Sequence, residues 1–278
     1  MAFALDHVVI NVLFDMDRAA ELMSQLGFTL TPRGYHSLGS INHLMMFEHD
    51  YLELIGLPSG TDQLRKDVLE SPRGLNGLVF KVGDADASQH ILRDSGLAML
   101  EPQSFSRPVT IDGVEHLARF RTVRAAPGLF EAGRVYYCQH YTPELVWYRP
   151  WMSHPNVVHG LSELVIVTSN AESDAARYAK AAQSSAVRQG DDWSVALPGN
   201  FRLTLVSPVR YRARYGELCV EADGRSGLFG AIVFDAPDLS RIRELASSIP
   251  DLRMEAGEGG LCVLVPFLNT LLEFRSDR

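Results

Sequence analysis

His7 lies in Leu5-Asp-His-Val-Val-Ile-Asn-Val12, a β-branched run that reads as a buried strand. Alternation assigns Leu5, His7, Val9 and Asn11 to one face, so an imidazole would stand among apolar neighbours. Such a ring is either a hydrogen-bonded anchor at a strand start or a metal ligand. Glu53, in Tyr51-Leu-Glu-Leu-Ile55, shares a face with Tyr51 and Ile55. A carboxylate buried there must be paired, neutralised or metal-bound, because leaving it alone in an apolar wall is costly. The alternatives are a surface-facing Glu53, or an ion pair with Arg33 or Arg134. His140 ends the strand pattern Arg134–His140 and precedes Tyr-Thr-Pro-Glu144, so it is either a ligand or the last residue before a turn. His43, in Asn42-His-Leu-Met-Met46, is either a substrate-facing acid/base group or an ordinary strand histidine.

Other chemistries find little support. Gly-x-Ser-x-Gly, a Gly-rich phosphate loop and Gly-x-Gly-x-x-Gly after a strand are all absent from the sequence. Gly257-Glu-Gly-Gly260 reads as a loop. Cys138 beside Gln139 and His140 superficially suggests a Cys/His nucleophile, but neighbours on a strand point to opposite faces. The chain has 278 residues, enough for two ordinary domains. No apolar run approaches the roughly 20 residues of a membrane helix, and no signal peptide is read at Met1–Asp6. A net charge of −8 argues against a nucleic-acid surface. Three cysteines, without a C-x-x-C pair, fit the reducing cytoplasm better than a disulfide scaffold.

The elements that must position these residues recur. After Leu5–Val12 comes a helical stretch from Met16 to Leu26, stopped by Gly27, then strand patterns at Phe28–Pro32, Asn42–Phe47 and Tyr51–Leu57. Leu75–Val82 opens a second strand-helix-three-strand unit, Leu161–Thr168 a third and Leu228–Asp235 a fourth. The intervals are domain-sized and loose, so these are duplications rather than a solenoid. Two prolines in Trp147–Asn156 mark a boundary, and the expected halves are 1–150 and 151–278. The fold class is α+β: four βαβββ units paired into two curled, mixed-sheet halves.

This arrangement resembles the vicinal oxygen chelate superfamily, which includes glyoxalase I, extradiol dioxygenases and antibiotic-sequestering proteins. The resemblance rests on Leu5–Val12, Tyr51–Leu57 and Tyr137-Cys-Gln-His-Tyr-Thr-Pro-Glu-Leu-Val-Trp147, and is nearest to the glyoxalase-like group. It covers residues 4–150 well and the remainder in outline. It implies metal ligands on the first and last strands of a unit, which points to His7 and Glu53, with His140 completing a set that Gly77 leaves short. Two imidazoles and a carboxylate would suit Zn, Fe, Mn, Ni or Co, and either metal-assisted enolisation or Fe(II) dioxygen chemistry. Glu53 is then the catalytic base, and His43 the acid/base histidine of the dioxygenase variant. The other expectation is a non-catalytic protein that sequesters a small ligand. Expected partners are a small molecule and a second copy in a homodimer, with neither nucleic acid nor membrane. The second half, with Glu163 and Gly230 opposite His7, is expected to supply stability rather than chemistry.

Overall fold

A computed structural model describes residues 2–257 and 260–276 of the chain. Its first strand, β1 (Ala4–Leu13), is buried along nearly its whole length because it runs through the middle of a sheet and is covered on both faces. The amphipathic α1 (Met16–Gln25) follows, burying Met16, Ala19, Leu22 and Met23. Strands β2 (Gly34–Tyr35), β3 (Ile41–Met46) and β4 (Tyr51–Gly56) complete the first unit. A single helical turn, α2 (Lys66–Leu69), leads to the second unit: β5 (Gly74–Lys81), α3 (Ala85–Asp94), β6 (Gln103–Ile111), β7 (Val114–Arg124) and β8 (Arg134–His140).

The third unit holds β9 (Gly160–Thr168), α4 (Ala171–Ala182), β10 (Ala186–Gln189), β11 (Asp192–Ala196) and β12 (Arg202–Val206). A helix that the sequence reading did not anticipate, α5 (Pro208–Tyr215), precedes the fourth. That unit comprises β13 (Gly227–Asp235), α6 (Leu239–Ser247), β14 (Arg253–Gly257), β15 (Gly260–Val265) and β16 (Thr270–Arg275). The expected loop at Gly257–Gly260 lies partly outside the described residues. The expected strand at Phe28–Pro32 is instead an irregular segment ahead of β2.

The strands form two sheets of eight, ordered β2-β3-β4-β1-β5-β8-β7-β6 and β10-β11-β12-β9-β13-β16-β15-β14. The α+β class and the paired βαβββ units are as expected. First and last strands of a unit run parallel, and paired units meet antiparallel through their first strands, β1 on β5 and β9 on β13. The first sheet is curled nearly into a barrel, and Ser37 N–H donating to Ser106 O (2.9 Å) links its two edges. The helices α1, α3, α4 and α6 pack on the outer faces, where one apolar core joins both sheets. Each inner face has its own core. In the second sheet α5 fills that interior with Tyr211 and Tyr215. Gly230 is required there, since a Cβ would stand 2.7 Å from the Tyr211 ring. No helix of the described residues is long and apolar enough to cross a membrane.

Candidate functional site

The pairing of β1 with β5 slips by one residue between Leu5 and His7, so Asp6 occupies a bulge. Leu5 therefore joins the outer core, whereas Val9 joins the inner one. This corrects the simple alternation that put Leu5 and His7 on one face. The bulge also brings the adjacent Asp6 and His7 side chains together, with His7 Nδ1 2.7 Å from Asp6 Oδ2. His7 Nε2 lies 3.5 Å from Glu53 Oε2. The other Glu53 oxygen accepts from Asn42 Nδ2 at 2.6 Å. Glu53 pairs with neither arginine considered from sequence: Arg33 binds Asp17 and His43, and Arg134 binds Asn76 and Asp67.

Asp6 is fully buried and serves both histidines. His140 Nε2 lies 3.0 Å from each of its oxygens, and the Tyr51 hydroxyl donates to it at 3.3 Å. The result is a chain, Glu53–His7–Asp6–His140, rather than three ligands around one point. His140 is thus tied to the far side of Asp6, and its donors do not meet those of His7 and Glu53 within the 4.8 Å that would suit one ion. Asp6, Cys138 and His140 do satisfy that spacing among the described residues. Burial, reinforced by Asp6 and Glu53, pushes the Cys138 thiol far up from its usual value.

The electrostatics follow from this chain. Burial pushes Glu53 up, but the hydrogen bond and charge of His7, aided by His36 and Asn42, bring it down to about 2. Burial likewise raises Asp6, and His140 and His7 outweigh it, holding the carboxyl well below its usual range. His7 moves the other way: burial lowers it, yet Asp6 and Glu53 together raise it, favouring its protonated form between two carboxylates.

His7, Asn42, Glu53, Arg107 and Tyr136 line a small cavity of about 30 Å³ on the inner face of the first sheet. Tyr136 is its partition, since it also borders a larger pocket of about 390 Å³ with Asp67, Arg124 and Arg134. The Tyr136 hydroxyl stands 3.5 Å from His7 Nε2. Its strand position, opposite Val79, matches that of Glu53 opposite Val9. The second unit therefore offers a phenol and Gly77 where the first offers Glu53 and His7. A Cβ on Gly77 would meet Val9 at 2.8 Å, so no side chain fits there without movement.

The structure does not bring His43 into this cavity. Asn42 and Leu44 point inward, so His43 points outward, with Nδ1 2.8 Å from Thr31 O and Nε2 accepting from Arg33. The second histidine of the cavity, beside His7, is His36. Burial, with Arg107 and Arg65 nearby, outweighs the pull of Glu53 and lowers it to about 3, so it is neutral. His36, Asp6, Tyr136 and Arg107 were missed from sequence. Only Arg107 carried a signal: it shares the inward face of Phe105-Ser-Arg-Pro-Val109 with two apolar residues.

With this geometry in view, the family is decided by a match of residues 5–182 to the model of the glyoxalase-like domain. The chain belongs to the glyoxalase-like domain family. It has the vicinal oxygen chelate fold, and solved structures similar to this glyoxalase-like protein agree. A hypothetical protein from Staphylococcus aureus superposes with a TM-score of 0.68 at 11% identity, covering 98% of this chain and 99% of the other. A mutant of 4-hydroxymandelate synthase from Streptomyces coelicolor gives 0.57 at 14% identity, with 99% and 92% covered. A xylose isomerase-like TIM barrel/4-hydroxyphenylpyruvate dioxygenase fusion protein gives 0.55 at 15%, with 99% of this chain and 49% of the fusion covered. At such identities the likeness is one of fold. No curated protein matches the sequence.

Proposed function

We propose that this glyoxalase-like protein is an enzyme whose His7 and Glu53 hold one divalent cation against a small substrate with two adjacent oxygens. The observation that carries the reading is the 3.5 Å separation of His7 Nε2 and Glu53 Oε2, both buried, in the wall of one small cavity. Two donors bonded to one ion at roughly 2.0–2.2 Å stand about 3–3.5 Å apart. The surrounding groups fit the same reading. Asp6 on Nδ1 is the carboxylate that fixes the tautomer of a metal-binding histidine, and Asn42 holds Glu53 so that Oε2 faces His7. Imidazole and carboxylate serve Zn, Fe, Mn, Ni and Co alike.

When bound, the cation supplies Lewis acidity, polarising a substrate carbonyl and acidifying the neighbouring C–H. Glu53 Oε2 is the base for that proton. Its acidity at rest comes largely from the imidazolium, so a His7 that has given up its proton leaves Glu53 a stronger base. The inner apolar core excludes water, and Tyr136 stands between the cavity and the larger pocket through which substrate would enter. His140 acts through Asp6. The first half, 1–150, carries the site. The second, 151–278, supports it, its free cysteines consistent with work in the cytoplasm.

Gly77, which leaves the second unit without an imidazole, favours the alternative of a sequestering protein that binds without turnover. Metal analysis of protein purified without chelator or tag-derived metal separates the two. One equivalent per chain, lost in His7→Ala and Glu53→Gln, is the expected result. Metal-free protein that takes up none on titration would leave the sequestering role.

A further inference from the structure

Arg107 projects from β6 into the cavity and is 2% exposed, yet its Nη2 has no hydrogen-bond partner and no carboxylate lies within 4.0 Å of it among the described residues. The other arginines of this wall are engaged: Arg65 donates twice to Asp67, and Arg134 reaches Asn76 and Asp67. Glu53 is held by Asn42 and His7, and no ion pair joins it to Arg107 among the described residues. A second orphan lies nearby. Asn42 must turn Nδ2 to Glu53, so its Oδ1 is left buried without a donor. Both groups crowd Gly34, whose missing Cβ would stand 2.2 Å from Asn42 Oδ1 and 3.0 Å from Arg107 Cδ.

We infer that Arg107 and Asn42 Oδ1 form a receptor for a small hydroxy-carboxylate, the guanidinium taking the carboxylate and the amide oxygen accepting from the hydroxyl. The inference deepens the function proposed above by naming the substrate class of the same cavity. The chemistry is complementary: an unpaired fork of N–H donors matches a planar carboxylate, and an unpaired acceptor requires an O–H or N–H. Burial pushes the Arg107 guanidinium down from its usual value, with only partial relief from Tyr51 and Glu53, so an incoming anion repays a cost the resting protein carries. A neutral His36 offers no competing cation. The cavity is small, about 30 Å³, so the receptor suits the smallest members of the class.

The test is calorimetric titration of the full chain, stripped of metal by a chelator, with glycolate and with acetate, together with melting curves. Glycolate should bind more tightly than acetate, and Arg107→Met should weaken glycolate by about tenfold or more. Asn42→Leu should erase the preference for glycolate over acetate. Without ligand, Arg107→Met should melt no lower than the parent, because it removes a buried charge that lacks a partner. Equal glycolate binding by Arg107→Met, or a marked fall in its melting temperature, would overturn the inference and make Arg107 a structural residue. Because the titration uses metal-free protein, its failure leaves the His7–Glu53 metal test standing, and failure of the metal test leaves this one intact.

Discussion

Asp6 receives His7, His140 and Tyr51 at once, so its replacement acts on both imidazoles. Asp6→Asn should lower metal affinity about 10–100-fold, as loss of an outer-shell carboxylate does, while leaving His7 and Glu53 in place. The same variant tests the charge on His7. Its folded-state value is raised, so it contributes stability that is present below the ordinary histidine value and is lost as pH rises through the folded one. Asp6→Asn should flatten that part of the pH profile, and an NMR titration of His7 should show its midpoint moving down. His7 and Glu53 were legible because each is a polar residue in an apolar strand. Asp6 was not, because the bulge that turns it inward leaves no mark in the residue pattern. His43 illustrates the converse: a one-residue difference in register decides which of Asn42 and His43 meets Glu53.

At the level of elements, Gly77 and α5 mark where the interiors of the two sheets differ: Gly77 sits tight against Val9 in the first, and α5 packs Tyr211 and Tyr215 into the second. Gly77→Ala would press a methyl into Val9 across the β1–β5 pair. Chemical denaturation should show a loss of about 1–3 kcal/mol, the usual cost of overpacking. In the second sheet Glu163 is ringed by Arg202, Arg214 and Arg275, and burial notwithstanding these hold it at about 2. Glu273 is taken by Arg214, Arg275 and Tyr215. The two carboxylates that could have formed a second metal pair are thus ion-paired. Glu163→Gln should cost about 2–3 kcal/mol, less than a fully buried pair because the arginines are partly exposed. The helix α5 was overlooked because only Tyr211 and Tyr215 face inward among its arginines, although Ser207 and Pro208 mark its start. Strand β14 was overlooked because it is almost wholly exposed and shows no apolar alternation.

Across the whole molecule, the outer faces of both sheets share one core, and the halves are stitched by Phe3 N–H to Ala182 O (2.9 Å) and Tyr137 hydroxyl to Ala181 O (2.8 Å). The family match runs through α4 to residue 182, and that helix packs against the first half. The four repeated units were legible in the sequence from their hydrophobic periods. Their joining back to back was not, because an outward apolar face looks the same whether a helix or a second sheet covers it. A chain ending at residue 150 should therefore expose apolar outer surface and aggregate, which sedimentation would detect. Asp50, which accepts from Leu161 N–H across the halves at 3.3 Å, is pushed up to about 7, chiefly by burial. The folded state then holds its proton more tightly than the unfolded chain, so stability falls as pH rises from about 4 to about 7. Asp50→Asn should raise the melting temperature at pH 8 and change it little at pH 4.

The central claim is that His7 and Glu53 share one cation, and an anomalous-scattering map from crystals soaked in Zn or Ni tests it most directly. A single strong peak should stand within roughly 2.0–2.2 Å of both His7 Nε2 and Glu53 Oε2. A peak on Asp6, Cys138 and His140 instead, or none at saturating metal with the His7 imidazolium still bridging Asp6 and Glu53, would contradict it.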